Sequence, residues 1–90
     1  MMAVMTAPAT HADLLAALRD LDGIVEKGRT PAHFYHRSRA FLHFHGTGDH
    51  LVADVRRADH WERWPVGTPE GRAALLCAVR EHLTGAAQPS

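Results

Sequence analysis

Five histidines fall between residues 33 and 50, and four of them, His33, His43, His45 and His50, are the candidates for one chemical group. Neutral imidazole binds zinc, iron, copper or nickel, with ring nitrogens about 2.0–2.1 Å from a zinc ion. His43 and His45 are two apart, so a strand would put both on one face. Asp54 follows in the next apolar segment and can orient an imidazole through a hydrogen bond. Tyr35 is a second polar partner within reach of the same group. The same histidines also have the chemistry of a general base titrating near neutral pH. The candidate metal ligands are therefore His33, His43, His45 and His50, for a divalent metal such as zinc.

Such ligands converge only on a rigid support. Residues 32–57 read as three strands, His33–His36, Ala40–His45 and His50–Arg56, because aromatic and β-branched residues recur between turn residues. Gly46-Thr47-Gly48-Asp49 reads as a hairpin loop. Symmetric closure of that loop pairs His45 with His50, Phe44 with Leu51, His43 with Val52, Leu42 with Ala53 and Phe41 with Asp54. A three-residue loop at Arg37–Arg39 pairs Phe34 with Leu42, His33 with His43 and Tyr35 with Phe41. Side chains alternate with period two. One face then holds Phe34, Leu42, Phe44, Leu51, Ala53 and Val55 as core. The other holds the four histidines, Tyr35, Phe41, Val52, Asp54 and Arg56.

The flanking segments read as helices. Thr10 caps the first, and Leu14, Leu18 and Leu21 repeat along one face. Asp22-Gly23 ends it, and Ile24–Lys27 is expected as a short edge strand. Thr68 caps the last helix, with Pro69 at its first position and Glu70 in its first turn. Leu75, Val79 and Leu83 line its apolar face. Cys77 lies among Leu75, Leu76 and Val79 and is expected as a buried thiol. Residues 58–64 are expected as a single helical turn stopped by Pro65. The fold class is α+β: an antiparallel meander of three to four strands, with the N-terminal and C-terminal helices packed on one face.

Ninety residues are enough for one domain, placed at residues 10–85 between flexible segments at 1–9 and 86–90. Ten basic residues balance ten acidic ones, which excludes a strongly basic nucleic-acid binder. A lone cysteine excludes an internal disulfide. No stretch approaches the ~18 apolar residues of a membrane span, and no signal peptide is visible, so a cytoplasmic location is expected.

From about Ile24 to Leu83 the chain resembles small bacterial proteins of unknown role. The likeness rests on Pro31-Ala32-His33-Phe34, Phe41-Leu42-His43-Phe44-His45 and Ala53-Asp54-Val55-Arg56. The order of His-x-His, turn and Asp-bearing strand is similar to the luciferase-like domain of fungal luciferases and many bacterial proteins. That group tends to carry a further histidine-containing segment, where this chain has Trp61–Trp64. A looser likeness to MmcQ/YjbR-like α+β proteins covers the strand-strand-helix order. These resemblances imply a small bacterial α+β domain.

Three functions are expected from these residues. The first is a homodimeric interaction module: Phe41, Val52, Trp61 and Trp64 form its partner surface, and Tyr35 adds to the apolar sheet face that a second copy would cover. The second is a metal-binding protein, or a metal-dependent or acid–base enzyme, using His33, His43 and His45. The third is a single-stranded nucleic-acid module using Phe34, Tyr35, Arg37, Arg39 and Phe41, which the neutral charge disfavours.

Overall fold

The computed structural model describes residues 7–28, 32–57 and 59–85. The elements are α1 (His11–Arg19), β1 (Val25–Glu26), β2 (Phe34–His36), β3 (Arg39–His45), a 3-10 turn (Gly48–His50), β4 (Val52–Arg57), β5 (His60–Pro65) and α2 (Pro69–Gly85). All neighbouring strands are antiparallel, in the order β1-β2-β3-β4-β5. The class is α+β as expected, with five strands rather than three to four.

Both helices start on side-chain caps. The Asp13 N–H donates to Thr10 Oγ1 at 3.1 Å, and the Gly71 N–H donates to Thr68 Oγ1 at 3.0 Å. From α1, Leu14 and Leu18 enter the core, and from α2, Leu75, Leu76 and Val79. They meet Phe34, Leu42, Ala53 and Val55 from one face of the sheet, with Leu51 and Val66 at its end. Each fully buried Leu, Val or Phe contributes about 1.5–3 kcal/mol, so this face carries most of the stability. Phe44 lies on the same side, half-buried, with its ring edge-on to His11 at 4.9 Å.

Four expectations are corrected. Residues 60–65 form β5, not a helical turn. The backbone of β4 would otherwise expose a row of unpaired N–H and C=O groups, and β5 pairs with it from Val52↔Pro65 to Arg57↔His60. Pro65 closes that edge strand, a position where a missing N–H is tolerated.

The β3–β4 register is offset by two residues: His45 pairs with Val52, Phe44 with Ala53, His43 with Asp54 and Leu42 with Val55. The 3-10 turn withdraws His50 from pairing, and Leu51 turns into the core. Gly46 has φ +83, and a Cβ there would meet the His50 carbonyl oxygen at 2.6 Å, so the loop folds back tightly on this glycine. An even offset leaves the side chains of residues 42–45 and 52–55 on their expected faces.

The β2–β3 turn has two residues, not three. Arg37 and Ser38 occupy left-handed conformations with φ 55 and 69, and His36 pairs with Arg39. Phe34 still pairs with Leu42, because a bulge makes up the difference and Tyr35 pairs with Ala40 instead of Phe41. The bulge swings Phe41 to the helix side, where it is 3% exposed and stacks on His82 at 5.1 Å. Phe41 is therefore core and not partner surface.

Cys77 is exposed. At ~100° per residue it sits roughly 200° round α2 from Leu75, on the side away from the sheet. Its Sγ lies 3.7 Å from Glu81 Oε2.

One buried group had no counterpart in the sequence reading. The Arg72 guanidinium is buried and donates to the carbonyls of Pro8 and Ala9, both at 2.8 Å, and of Val66 at 3.1 Å. It ties residues 8 and 9 to the start of α2. Of the segments expected to be flexible, 1–9 and 86–90, residues 1–6 and 86–90 lie outside the described residues. Among the described residues, no helix is long and apolar enough to cross a membrane.

Candidate metal centre on the open sheet face

The face of the sheet opposite the helices is polar. His43 and His45 project from alternate positions of β3, and Asp54 stands directly across from His43 on β4. The Nε2 atoms of His43 and His45 lie 3.4 and 3.0 Å from one oxygen of Asp54, Oδ2. The second oxygen, Oδ1, accepts from Arg63 Nε at 3.1 Å, across the β4–β5 ladder. Arg63 thus fixes the carboxylate with one oxygen turned to the two imidazoles. The Asp54 side chain is largely buried, at 13% exposure, while that of His45 is open at 53%.

Two aromatic neighbours frame the group. The Trp61 ring lies 4.8 Å from that of His43, and the Arg56 guanidinium lies over the Trp61 ring, 4.8 Å from its centroid. The His33 ring lies 5.7 Å from that of His43, and the His43 and His45 rings meet edge-on at 4.7 Å.

The protonation states favour metal ligation. Burial lowers the His43 pKa, and the neighbouring His45 and His33 lower it further against the pull of Asp54. Burial raises the Asp54 pKa, but the Arg63 hydrogen bond and charge, with His45 and His43, outweigh it and leave it lowered. At neutral pH the site therefore offers a neutral imidazole and an ionised carboxylate, the forms that bind metal.

Among the described residues, His43, His45 and Asp54 are the group whose donor atoms all lie within 4.8 Å of one another. Tetrahedral bonds of about 2.0–2.1 Å put neighbouring donors roughly 3.3 Å apart. The two separations to Asp54 Oδ2, 3.4 and 3.0 Å, lie near that spacing, and the donor atoms of the two imidazoles lie within 4.8 Å of each other. Two histidines and one carboxylate with the remaining positions open are the donor set of facial-triad iron sites and of three-ligand zinc sites.

Of the expected ligands, the structure brings His43 and His45 together with Asp54 and leaves His33 beside them. It does not bring in His50, which lies exposed in the 3-10 turn. Tyr35 is on the open face, where Lys27 Nζ sits 4.9 Å above its ring. Val52 is half-buried opposite His45. Trp61 and Trp64 separate: Trp61 is exposed on the open face and Trp64 packs against the core.

Arg63 was missed, because its role depends on β5. Residues 60–64 carry no period-two alternation, because Trp61 and Trp64 are three apart, so local spacing gave no signal for this strand.

No family model, curated protein or solved structure shows a significant match to this chain. The function is therefore argued from the chemistry of the site.

Proposed function

We propose that the protein binds a divalent first-row metal ion, with zinc the leading candidate, through His43, His45 and Asp54. The observation that carries this reading is the convergence of the three donor atoms within 4.8 Å on the open sheet face. Arg63 acts as the partner that orients the carboxylate, in the way outer hydrogen bonds commonly orient metal ligands. His33 is the nearest further imidazole. A metal held by three protein ligands keeps an open position for water, and lowers the pKa of that water toward neutrality.

Cobalt(II) titration of tag-free protein tests this, because tetrahedral or five-coordinate cobalt absorbs in the visible. One cobalt per chain, displaced by zinc, is expected. His45→Gln should weaken binding about a hundredfold, equivalent to roughly 2.7 kcal/mol. His50→Gln should leave it unchanged. Equal binding by wild type and a His43→Gln, His45→Gln double variant would overturn the reading.

A second reading is a homodimeric interaction module. It is favoured by the one-sided packing: both helices cover the same face, and Trp61 on the other is 39% exposed. Transfer of Phe41 to the core removes part of the apolar surface first assigned to this interface. Light scattering at high micromolar concentration decides it, and a monomer there excludes the dimer.

A further inference from the structure

A second cluster sits at the other end of β3, built from different residues. His36, Arg37, Arg39, Ala40, Phe41, Arg56 and His82 line a cavity of about 230 Å³. They come from β2, its turn, β3, β4 and α2, which the bulge at Phe41 draws together. Its floor is aromatic: His82 stacks on Phe41 at 5.1 Å, and His36 lies edge-on to both, at 5.6 Å from Phe41 and 5.7 Å from His82. Its polar groups are cationic or titratable to cations. Arg56 Nε donates to the Ala40 carbonyl at 3.1 Å, which leaves its terminal nitrogens free of that bond.

The charge is not compensated from within. Among the described residues, no Asp or Glu forms an ion pair with His36, Arg37, Arg39, Arg56 or His82. Glu62 of β5 is engaged by Arg57 at 3.5 Å and His60 at 3.3 Å. The histidines register the excess. Burial and the charge of Arg37 lower the pKa of His36, and burial, His36 and Arg57 lower that of His82. Elsewhere in the chain the arginines that line the sheet meet acids: Arg19 meets Glu26 and Arg63 meets Asp54.

We propose that this cavity binds the phosphate group of a small phosphomonoester. The two exposed arginines Arg37 and Arg39, with two imidazoles, match a compact dianion better than a single carboxylate, while Arg56 is held by the Ala40 carbonyl and the Trp61 ring; arginine pairs with phosphate through parallel N–H···O bonds. The cavity is smaller than the ~300–1,000 Å³ of typical ligand pockets, so it takes the head group while the rest of the molecule projects outward. A nucleic-acid strand would need a cationic track extending beyond the cavity. The chain has no net positive charge to supply one.

The test is NMR titration of the wild-type protein with inorganic phosphate, following the ring resonances of His36 and His82. Saturable shifts are expected at both rings, with a downfield movement as the bound dianion favours imidazolium. Arg37→Gln, Arg39→Gln in one chain should weaken the apparent affinity at least about tenfold, or roughly 1.4 kcal/mol. Both side chains are exposed, so the fold is retained, and unchanged chemical shifts of Leu18 and Val79 verify this. Acetate should produce shifts more than about tenfold weaker than phosphate. Non-saturating shifts, equal affinity in the double variant or equal affinity for acetate would each overturn the proposal. So would tight, salt-sensitive binding of a single-stranded RNA oligomer without saturation by phosphate. The metal reading is independent, since His45→Gln should weaken cobalt binding about a hundredfold and leave the phosphate titration unchanged.

Discussion

The two faces of one sheet differ more than any two separate elements of this protein. Toward the helices, Phe34, Leu42, Ala53 and Val55 are essentially inaccessible to solvent. On the reverse of the sheet stand His43, His45 and Asp54 of β3 and β4, with Arg63 and Trp61 of β5. Adjacent residues such as Leu42 and His43 share a backbone and almost nothing else. The period-two pleat divides the labour: hydrophobic burial holds the strands in place, and the held strands set the donor distances on the other side. Chemistry on the open face is thus supported by the covered face without being made of it.

The largest expected effect breaks this division at neighbouring positions. Leu42→Ala should destabilise the protein by about 2–5 kcal/mol in urea unfolding, since it removes a fully buried side chain from the middle of the core. His43→Gln, one residue on, should cost less than about 1 kcal/mol, in line with substitutions outside the core. Similar losses at both positions would mean that the two faces are not separable.

Next comes Arg72→Leu, expected to cost about 1–3 kcal/mol. It strands the carbonyls of Pro8, Ala9 and Val66, so the covered side depends on one buried polar tie as well as on apolar area. Faster hydrogen exchange over the first turns of α1 and α2 would accompany the loss. Unchanged stability and exchange would show that water replaces the guanidinium.

A smaller effect is pH-dependent and belongs to the histidines at the rim of the covered side. Burial lowers the pKa values of His11, His36 and His82, assisted by Arg72, Arg37 and, for His82, His36 and Arg57. A histidine with a depressed folded pKa binds fewer protons in the native state than in the unfolded chain. Stability is therefore full above the unfolded value near 6.5 and is lost as pH falls through the lower folded values. The melting temperature should drop between about pH 7.5 and 5.5, the range of histidine titration. His11→Gln should blunt the drop, because it removes one of the groups whose protonation is disfavoured in the native state. A flat melting profile would contradict it.

The smallest effect lies at the β1 edge. The Glu26 pKa is lowered to about 2, first by its hydrogen bond from Arg19 and then by the Ala32 N–H. This contribution is present above the ordinary carboxylate range and is lost as pH falls through about 2. Exposed ion pairs are weak and screened by salt, so Glu26→Gln should shift the acid-unfolding midpoint only slightly. A shift as large as that of Leu42→Ala would place the edge strand at the centre of stability.

Much of this arrangement is legible from residue type and local spacing. Thr10 and Thr68 mark the helix starts because a side-chain oxygen satisfies an otherwise unpaired N–H. The pleat assigns Leu42 and Phe44 to one face and His43 and His45 to the other whatever their partners. The Phe34↔Leu42 pairing follows from matching apolar positions, although the turn beside it is shorter than expected.

Other features depended on contacts between distant parts of the chain. Period two specifies a face and says nothing about an even offset along the strand. That offset was decided by the loop: a Cβ on Gly67 would meet the Asp49 carbonyl oxygen at 2.4 Å, so residues 46–51 are packed against the segment leading into α2. The two-residue shift put Asp54, and not Val52, opposite His43. β5 then supplied Arg63 to hold the carboxylate and Trp61 to wall the imidazole. The bulge turned Phe41 inward and gathered His36 and His82 around it. The histidines and their shared face were thus set by local sequence. The company they keep was set by loop packing and edge pairing, which join residues too far apart for any local pattern to relate.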